Sequence, residues 1–198
     1  NGSVKVAGTE IRERTNRFYE RIGVDFEFST CYEKFTAREN LNYFGSLYDR
    51  PLRSTEELLK MVGLENDGDK KVSDYSKGMR SRLNFIKALV HNPDILFLDE
   101  PTSGLDPAGA VLFRKIIEEE RQKGTTVFLT THNMLDADLL CDRVAFITIG
   151  NIVALDTPQN LKEKNSNHRI VVSYLYQGKR KEQTIEAPEL KAGIPFAY

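Results

Sequence analysis

An apolar run that ends in two carboxylates constrains this chain more than any other stretch. Ile95 to Leu98 is apolar without alternation, which is typical of a strand buried on both faces of a parallel sheet. Asp99 and Glu100 follow directly, and side chains at the carboxyl ends of such strands face the crevice where ligands of open α/β sheets bind. Because Mg²⁺ takes oxygen ligands and keeps several waters, Asp99 is a candidate metal ligand, directly or through water. Glu100 is a candidate for orienting and deprotonating an attacking water.

The residues after these carboxylates predict a short loop and then a helix. Pro101 stops the strand, and the polar loop ends in Asp106 and Pro107, an N-cap residue followed by a first-turn proline. The two carboxylates taken alone fit a solvated strand end equally well. The whole string from residue 95 to residue 106 is far more specific than the pair.

Composition excludes several classes of protein. The chain of 198 residues carries 28 basic and 29 acidic residues, a net charge of −1, so it lacks the basic footprint of a nucleic-acid-binding protein. No apolar run approaches the roughly 18 residues of a membrane span, and the N-terminus has no signal-peptide pattern. Cys31 and Cys141 lie far apart without a CxxC pattern, so we expect two reduced thiols in a cytosolic protein.

Helix-start signals divide the chain into predicted parts. Thr36 and Ser54 each open a capping-box pattern, so helices are expected from residue 37 to about 48 and from 55 to about 62. A third helix begins after Ser76, with apolar residues at helical spacing. The predicted parts are N-terminal strands and a loop (1–35), a helical subdomain (36–92), an α/β core (93–163) and a small β-hairpin appendage (164–198).

Strands are predicted around these helices. The alternation of strands and helices from residue 93 to 149 predicts a parallel α/β sheet. Further single strands are predicted at residues 3–7, 22–26 and 125–131. Two hairpins are also predicted. The first pairs 143–149 with 152–155 and turns at Gly150-Asn151, and the second pairs 170–176 with 181–185 and turns at Gln177-Gly178.

Two further positions could contact an anion. Ser76 is a natural N-cap, Gly78 lets a ligand approach the backbone, and a helix N-terminus binds anions such as phosphate. A capped helix with nothing bound fits the same residues. His132 ends the strand 125–131, which places it on the rim that carries Glu100 if the two strands are parallel. A lone histidine is otherwise usually structural.

Four motifs that occur in order resemble those of ATP-binding cassette (ABC) ATPases. They are Tyr75–Met79 at the signature, Leu98–Glu100 at Walker B and the catalytic glutamate, Ser103–Asp106 at the D-loop, and Thr131-His132 at the switch histidine. Residues 3–163 are similar to the nucleotide-binding domain of an ABC transporter, in the style of multidrug, antibiotic and ABC-2-type exporters. The resemblance implies a P-loop NTPase-like α/β fold, a mostly parallel sheet with an inserted helical subdomain.

The resemblance also implies a mechanism. Two such domains close head to tail around two ATP molecules and hydrolyse them with Mg²⁺. The matched positions then imply that Ser76, Lys77 and Gly78 cap the γ-phosphate held by the partner domain. Asp99 would support Mg²⁺, Glu100 would activate the water, and His132 would stabilise the γ-phosphate. Asp106 would link the two active sites, and Glu27 would occupy the Q-loop position near a Mg²⁺-linked water.

The chain departs from the family pattern at three places. Glu27 replaces the Q-loop glutamine, and a carboxylate cannot donate the hydrogen bond that an amide donates. Lys77 replaces a glycine and Met79 a glutamine, changes that leave the backbone amides in place. The sequence contains no Gly-x-x-x-x-Gly-Lys-Ser/Thr motif, so we expect an N-terminally truncated cassette that binds ATP poorly or not at all and is inactive alone.

The expected partners follow from the resemblance. They are a transmembrane permease, received by the aromatic loop 27–35, and a second ATP-binding domain, with no nucleic acid. The expected location is the cytoplasm, peripheral on the inner face of the cell membrane. The alternatives are an ABC ATPase of translation or DNA repair, which would carry a coiled coil or a tandem cassette, and a non-catalytic scaffold, which would leave the carboxylates and His132 unexplained.

Overall fold

A computed structural model describes residues 2–13, 15–165, 169–176 and 179–186. The chain forms two compact units, residues 1–140 and 141–198, and each unit is described by itself. The turn expected at Gln177-Gly178 and the stretch 187–198 of the expected appendage lie outside the described residues. The four-part division into domains stays a prediction.

The first unit contains three parallel strands, two short antiparallel strands and six α-helices among its described residues. In chain order these are β1 (Lys5–Val6), β2 (Thr9–Glu10), a 3₁₀ turn (Ile11–Glu13), α1 (Asn16–Tyr19), β3 (Ile22–Asp25), α2 (Ala37–Gly45), α3 (Thr55–Met61), a 3₁₀ turn (Val72–Asp74), α4 (Lys77–Lys87), β4 (Ile95–Asp99), α5 (Pro107–Gln122), β5 (Thr126–Thr130) and α6 (Met134–Leu140).

The central sheet is parallel, as the alternation of strands and helices predicts. Its order is β3-β4-β5, and Ile95 pairs with Ile22 on one side and with Thr126 on the other. At the opposite end of β4, Asp99 pairs with Thr130. Because all three strands run the same way, their carboxyl ends form one rim of the sheet.

The expectation that β4 is buried on both faces is wrong. Leu96 and Leu98 are buried, but Phe97 between them is only half-buried, and Phe128 on the neighbouring strand is 57% exposed. Helices pack against one face of the sheet, whereas the other face lines an open cavity of about 510 Å³. An uninterrupted apolar run therefore marks a strand here without guaranteeing that both of its faces are covered.

The hydrophobic core lies between the helices and the covered face of the sheet. Leu41 and Leu58 from the helical segment are fully buried together with Leu96 from β4. The rings of Phe85 on α4 and Phe113 on α5 stack with their centroids 4.5 Å apart. Burying large side chains of this kind contributes about 1.5–3 kcal/mol each before the entropy cost of folding. The helical segment and the sheet therefore share one core.

Helix α2 begins as predicted and ends early. Thr36 Oγ1 accepts a hydrogen bond from Glu39 N at 3.1 Å, and the Glu39 carboxylate accepts one from Thr36 N at 2.8 Å, which completes the capping box. The helix was expected to reach residue 48 but ends at Gly45. Ser46 Oγ donates to the carbonyl of Tyr43 at 2.7 Å, so the hydroxyl occupies the acceptor that a further helical amide would use.

The first predicted strand, residues 3–7, is also shorter in the structure. The strand covers Lys5–Val6 because the chain reverses immediately into Thr9–Glu10. Ala7 and Gly8 form this two-residue turn with φ angles of 49° and 80°. Positive φ at both central residues is typical of the type I′ turns that connect adjacent strands.

The second unit contains two hairpins and one helix among its described residues. They are β6 (Val144–Thr148), β7 (Asn151–Asp156), α7 (Pro158–Asn165), β8 (Arg169–Tyr176) and β9 (Lys179–Glu186). The first turn was predicted at Gly150-Asn151 but lies one residue earlier. Thr148 pairs with Asn151, so Ile149 and Gly150 are the turn residues, with φ angles of 50° and 74°. Thr157 Oγ1 accepts from Asn160 N and caps α7.

Candidate active site

Asp99 stands at the carboxyl end of β4, on the rim of the parallel sheet. Thr130 lies opposite Asp99 on β5, and its hydroxyl donates to Asp99 Oδ1 at 2.5 Å. The Asp99 side chain is exposed, and its second oxygen has no hydrogen-bond partner among the described residues. The register thus leaves a fixed carboxylate oxygen facing solvent.

Glu100 is held by the end of the neighbouring strand. Its backbone amide donates to the carbonyl of Thr130 at 2.9 Å. One carboxylate oxygen accepts from the amide of His132 at 2.9 Å, and the other accepts from the hydroxyl of Thr131 at 3.3 Å. The residue adopts φ of +50°, a left-handed conformation that is uncommon outside glycine. Two anchors and a strained backbone together fix the direction of this carboxylate.

His132 pairs with Glu100 on the same rim. Its Nδ1 lies 2.9 Å from Glu100 Oε2, while the side chain as a whole is 80% exposed. The hydrogen bond to Glu100 and the charge of that carboxylate raise the pKa of His132, and the charge of Glu27 adds to the same effect. The predicted members Glu100 and His132 therefore meet in space, with Glu27 close enough to act on the imidazole electrostatically.

The rim carries oxygen donors of the kind that bind a magnesium ion. Among the described residues, no group of three or more histidine, cysteine, aspartate or glutamate side chains could hold a metal. Mg²⁺ commonly binds proteins through one or two carboxylates and takes its other ligands from phosphates and water. The open oxygen of Asp99 and the exposed carboxylate of Glu27 are hard oxygen donors of that kind. The donor set fits Mg²⁺ brought in with a nucleotide.

The signature turn begins helix α4. Ser76 Oγ accepts from Met79 N at 3.2 Å, as its N-cap pattern predicts. A β-carbon placed on Gly78 would meet no atom within 4 Å, so the backbone of the first helical turn is open to solvent. The exposed amides and the helix dipole are suited to an anion.

Lys77 reaches from this turn to the loop after β4. Its Nζ would lie 3.0 Å from a β-carbon at Gly104, a residue with φ of +68°. The signature turn and the D-loop are therefore neighbours. Among the described residues, no hydrogen bond or ion pair joins residues 76–78 to the rim that carries Glu100 and His132.

Asp106 acts as a helix cap in this chain. Its Oδ1 accepts from Gly109 N at 2.9 Å at the start of α5, followed by Pro107 in the first turn. The sequence pattern predicts this cap. The link that the resemblance implies between two active sites stays a prediction.

Sequence reasoning missed the polar groups that support the rim. Thr102, Arg114 and Asp136 form a largely buried cluster beneath the loop after β4. The one available signal is that Asp136 is an acidic residue in the first turn of the short helix α6, which begins two residues after His132. Without the structure, nothing indicates that this carboxylate turns inward.

The loop 27–35 presents aromatic side chains, as expected. Phe28 is 78% exposed, and Tyr32 is about half exposed although its ring packs with those of Tyr43 and Phe44. Asn40 holds this loop on α2, since its side chain accepts from Tyr32 N at 2.8 Å and donates to Tyr32 O at 3.0 Å. The aromatic surface is thus both exposed and anchored.

Comparison with known proteins identifies the family. A family model described as ABC transporter matches residues 1–103, just over half of the chain. The chain belongs to the ABC transporter family. Its ABC membership agrees with the order of the four motifs and with the parallel sheet.

Relatives within the ABC family include exporter subunits. The chain is 48% identical over 177 residues to the fluoroquinolones export ATP-binding protein of Mycobacterium tuberculosis, covering 89% of this chain and 59% of that protein. It is 36% identical to the Nod factor export ATP-binding protein I of Rhizobium meliloti, covering 87% and 53%, respectively. It is 32% identical to the ABC transporter ATP-binding protein NatA of Bacillus subtilis, covering 90% and 74%. The chain thus spans about three fifths of the length of the mycobacterial relative.

Solved structures confirm the ABC fold. An ATP-binding subunit of an ABC transporter superposes with a TM-score of 0.74 at 24% identity, covering 83% of this chain and 70% of that one. A dimeric ATP-binding cassette in a post-hydrolysis state, bound to ADP and Pi, gives a TM-score of 0.71 at 22% identity, covering 80% and 74%. Among the described residues, no helix has the length and apolar character needed to cross a membrane.

Proposed function

We propose that this chain is part of the subunit that binds and hydrolyses ATP and thereby powers an ABC exporter. The observation that carries the proposal is the pairing of Glu100 with His132 on the rim beside Asp99. Similarity to export ATP-binding proteins supports the transport role. A chain with a purely structural role would have no need for an anchored, half-buried carboxylate next to an exposed histidine.

Each rim residue has a different proposed role in phosphoryl transfer to water. Glu100, held by two donors, is oriented to accept a proton from the attacking water. His132 carries positive charge more readily because Glu100 raises its pKa, and it is exposed where a γ-phosphate would lie. When bound, Mg²⁺ neutralises phosphate charge, with Asp99 as its protein ligand.

Glu27 differs from the glutamine that the family pattern has at this position in its hydrogen bonding and in its charge. As a carboxylate it can accept hydrogen bonds from a Mg²⁺-bound water, but it cannot donate one. Its charge also favours the protonated form of His132. We propose that Glu27 supports the metal-bound water and helps to raise the pKa of His132.

A second copy or a homologous domain would complete the site. Within one chain, the ammonium group of Lys77 lies close to Gly104 of the D-loop, and no hydrogen bond or ion pair between described residues joins residues 76–78 to the Glu100–His132 pair. Head-to-tail pairing would bring the open amides of one signature turn to the phosphate held by the other domain. The ammonium group of Lys77 adds positive charge at that point. Asp106 then lies at the junction between the two domains.

The aromatic loop 27–35 is the proposed contact with a transmembrane permease. Its exposed rings, led by Phe28, are the kind of side chain enriched at protein interfaces. Asn40 anchors the loop, so the surface is presented in one arrangement. This contact would place the protein in the cytoplasm, on the inner face of the cell membrane.

The substitution Glu100→Gln in the full-length protein tests the proposed function. Glutamine keeps the size of the side chain but cannot accept the proton from water, so ATP hydrolysis is expected to fall at least about 100-fold. ATP binding should be retained, because Glu100 is not a proposed ligand of the nucleotide. The matched control Glu65→Gln changes an exposed carboxylate away from the rim and should leave both measurements unchanged. Normal turnover by Glu100→Gln would refute the assignment.

A further inference from the structure

A buried carboxylate lies beneath the loop that carries Glu100. Asp136, in α6, is fully buried, and Arg114 Nε on α5 donates to its Oδ1 at 2.6 Å. The hydroxyl of Thr102, two residues beyond Glu100, donates to its Oδ2. Thr102 is itself buried. One carboxylate therefore joins the loop after β4, helix α5 and helix α6.

The contacts around this carboxylate close into a ring. The hydroxyl of Thr131 donates to Glu100 Oε2 at 3.3 Å and accepts from Asn133 N at 2.9 Å. The carbonyl of Asn133 accepts from Asp136 N at 3.1 Å, which begins α6. The Asp136 carboxylate accepts the hydrogen bond from Thr102, and the backbone connects Thr102 to Glu100, two residues earlier. His132 lies inside this ring, between Thr131 and Asn133.

Packing alone does not account for the choice of residues. A buried carboxylate is costly unless it is paired and hydrogen-bonded, and an apolar side chain would fill a helix face without that cost. Arg114 supplies the compensating charge, and Thr102 supplies the second hydrogen bond. The fold thus keeps a polar contact between the loop that carries Glu100 and the helix that follows His132.

We infer that Asp136 is a positioning residue, which acts through Thr102 and Arg114 to fix the loop of Glu100 against the segment of His132. This inference rests on the proposed ATPase function for its kinetic consequence. Misplacing a reacting group by about 1 Å can cost about 100-fold in rate. Loss of the link should therefore lower turnover without weakening nucleotide binding.

The experiment uses a matched pair of substitutions in the full-length protein. Thr102→Val removes the hydroxyl and keeps the shape, whereas Thr102→Ser keeps the hydroxyl and removes only a methyl group. We expect Thr102→Val to lower kcat for ATP about 10- to 100-fold with an unchanged KM, and Thr102→Ser to keep at least half of the wild-type kcat. Wild-type kcat in Thr102→Val, or equal loss in both variants, overturns the inference.

A second readout does not depend on hydrolysis. The titration of the His132 ring, followed by NMR and assigned with His132→Gln, reports its contact with Glu100. In Thr102→Val the pKa of His132 should move down towards the ordinary histidine value, and an unchanged pKa overturns the inference. If the wild-type protein does not hydrolyse ATP, the proposed function fails and this titration alone decides the inference. If Thr102→Val does not fold, Asp136→Asn takes its place in both measurements, with the same expected and contradicting results.

Discussion

Asn84 of α4 donates its side-chain amide to Asp25 Oδ1 at the end of β3, over 2.6 Å, and both side chains are buried. The same amide donates to the carbonyl of Phe26 at 3.1 Å. The oxygen of Asn84 accepts from the amide of Thr30 at 3.1 Å and from the ammonium of Lys87 at 2.9 Å. One side chain thus fastens the start of the aromatic loop to the signature helix.

Exchanging the residues at positions 25 and 84 should show whether the pair stabilises the fold by its hydrogen-bond geometry or by which position carries the carboxylate. Asn84→Asp places two carboxylates together and removes the donor, so we expect a loss of about 2–3 kcal/mol in the free energy of unfolding. The double variant Asp25→Asn/Asn84→Asp restores one donor and one acceptor in reversed order and should recover most of that loss. Urea unfolding at pH 8 is suitable, because burial raises the pKa of Asp25 to about 7. A double variant no more stable than Asn84→Asp contradicts the prediction, and Asp25→Asn alone is the control.

His91 should make the protein less stable in mild acid. Its ring is buried against Tyr48, with Nε2 donating to the carbonyl of Ile22 at 3.0 Å. Burial lowers the pKa of His91 to about 4 and outweighs the hydrogen bond to Ile22, which raises it. The charges of Arg50 and Arg53 lower this pKa further, and the charge of Asp94 has a smaller raising effect. The unfolded chain binds a proton near pH 6.5 and the native chain does not, so stability is lost as pH falls from 6.5 towards 4.

The variant His91→Phe isolates this contribution. Phenylalanine keeps the ring stack on Tyr48 and cannot titrate. Between pH 7 and pH 4.5 the wild-type protein should lose about 2.5 kcal/mol more stability than the variant. Urea unfolding at both pH values measures the difference. Equal losses in the two proteins would show that the pKa of His91 is not lowered in the native state.

Two glycines should respond oppositely to alanine. A β-carbon on Gly23 would lie 2.3 Å from the carbonyl oxygen of Ala88, so Gly23→Ala must displace α4 from β3. We expect a loss of more than about 2 kcal/mol in unfolding free energy. Gly78→Ala meets no atom within 4 Å and lies in a helix, so it should keep or slightly raise stability. Thermal unfolding compares the two, and a stable Gly23→Ala contradicts the close packing.

The aromatic loop offers a test of partner binding that leaves the fold intact. Phe28 is 78% exposed, so Phe28→Ser should change the unfolding free energy by no more than about 0.5 kcal/mol. The fraction of protein bound to membranes that contain its permease should fall. Leu47→Ser, at another exposed apolar side chain outside the loop, is the matched control and should bind like the wild type. Equal binding by all three proteins would exclude the loop as the contact.

The sequence predicted most of the secondary structure because the signals were local. Thr36, Ser54 and Ser76 each cap a helix as their side chains indicate. Asp99 was predicted on the sheet rim from the apolar run before it, and His132 was predicted there on the condition that the two strands are parallel.

Most errors arise where a distant segment decides the outcome, and one arises from an unusual local turn. Exposure of Phe128 depends on what covers its face of the sheet, and no local pattern reports this. The turn at Ile149-Gly150 was misplaced because a β-branched residue rarely adopts positive φ. Asn84 and Asp136 are polar residues whose partners lie 59 and 34 residues away, respectively, and pairings of that kind become visible only in the folded chain.

The backbone of Glu100 places stability and chemistry in opposition. At φ of +50° a glycine or asparagine would relax a conformation that costs other residues about 1–2 kcal/mol. Neither replacement carries a carboxylate to the rim. Selection for heat resistance alone would therefore favour loss of Glu100 and, with it, of the proposed hydrolytic activity, so such a selection must also score ATP hydrolysis.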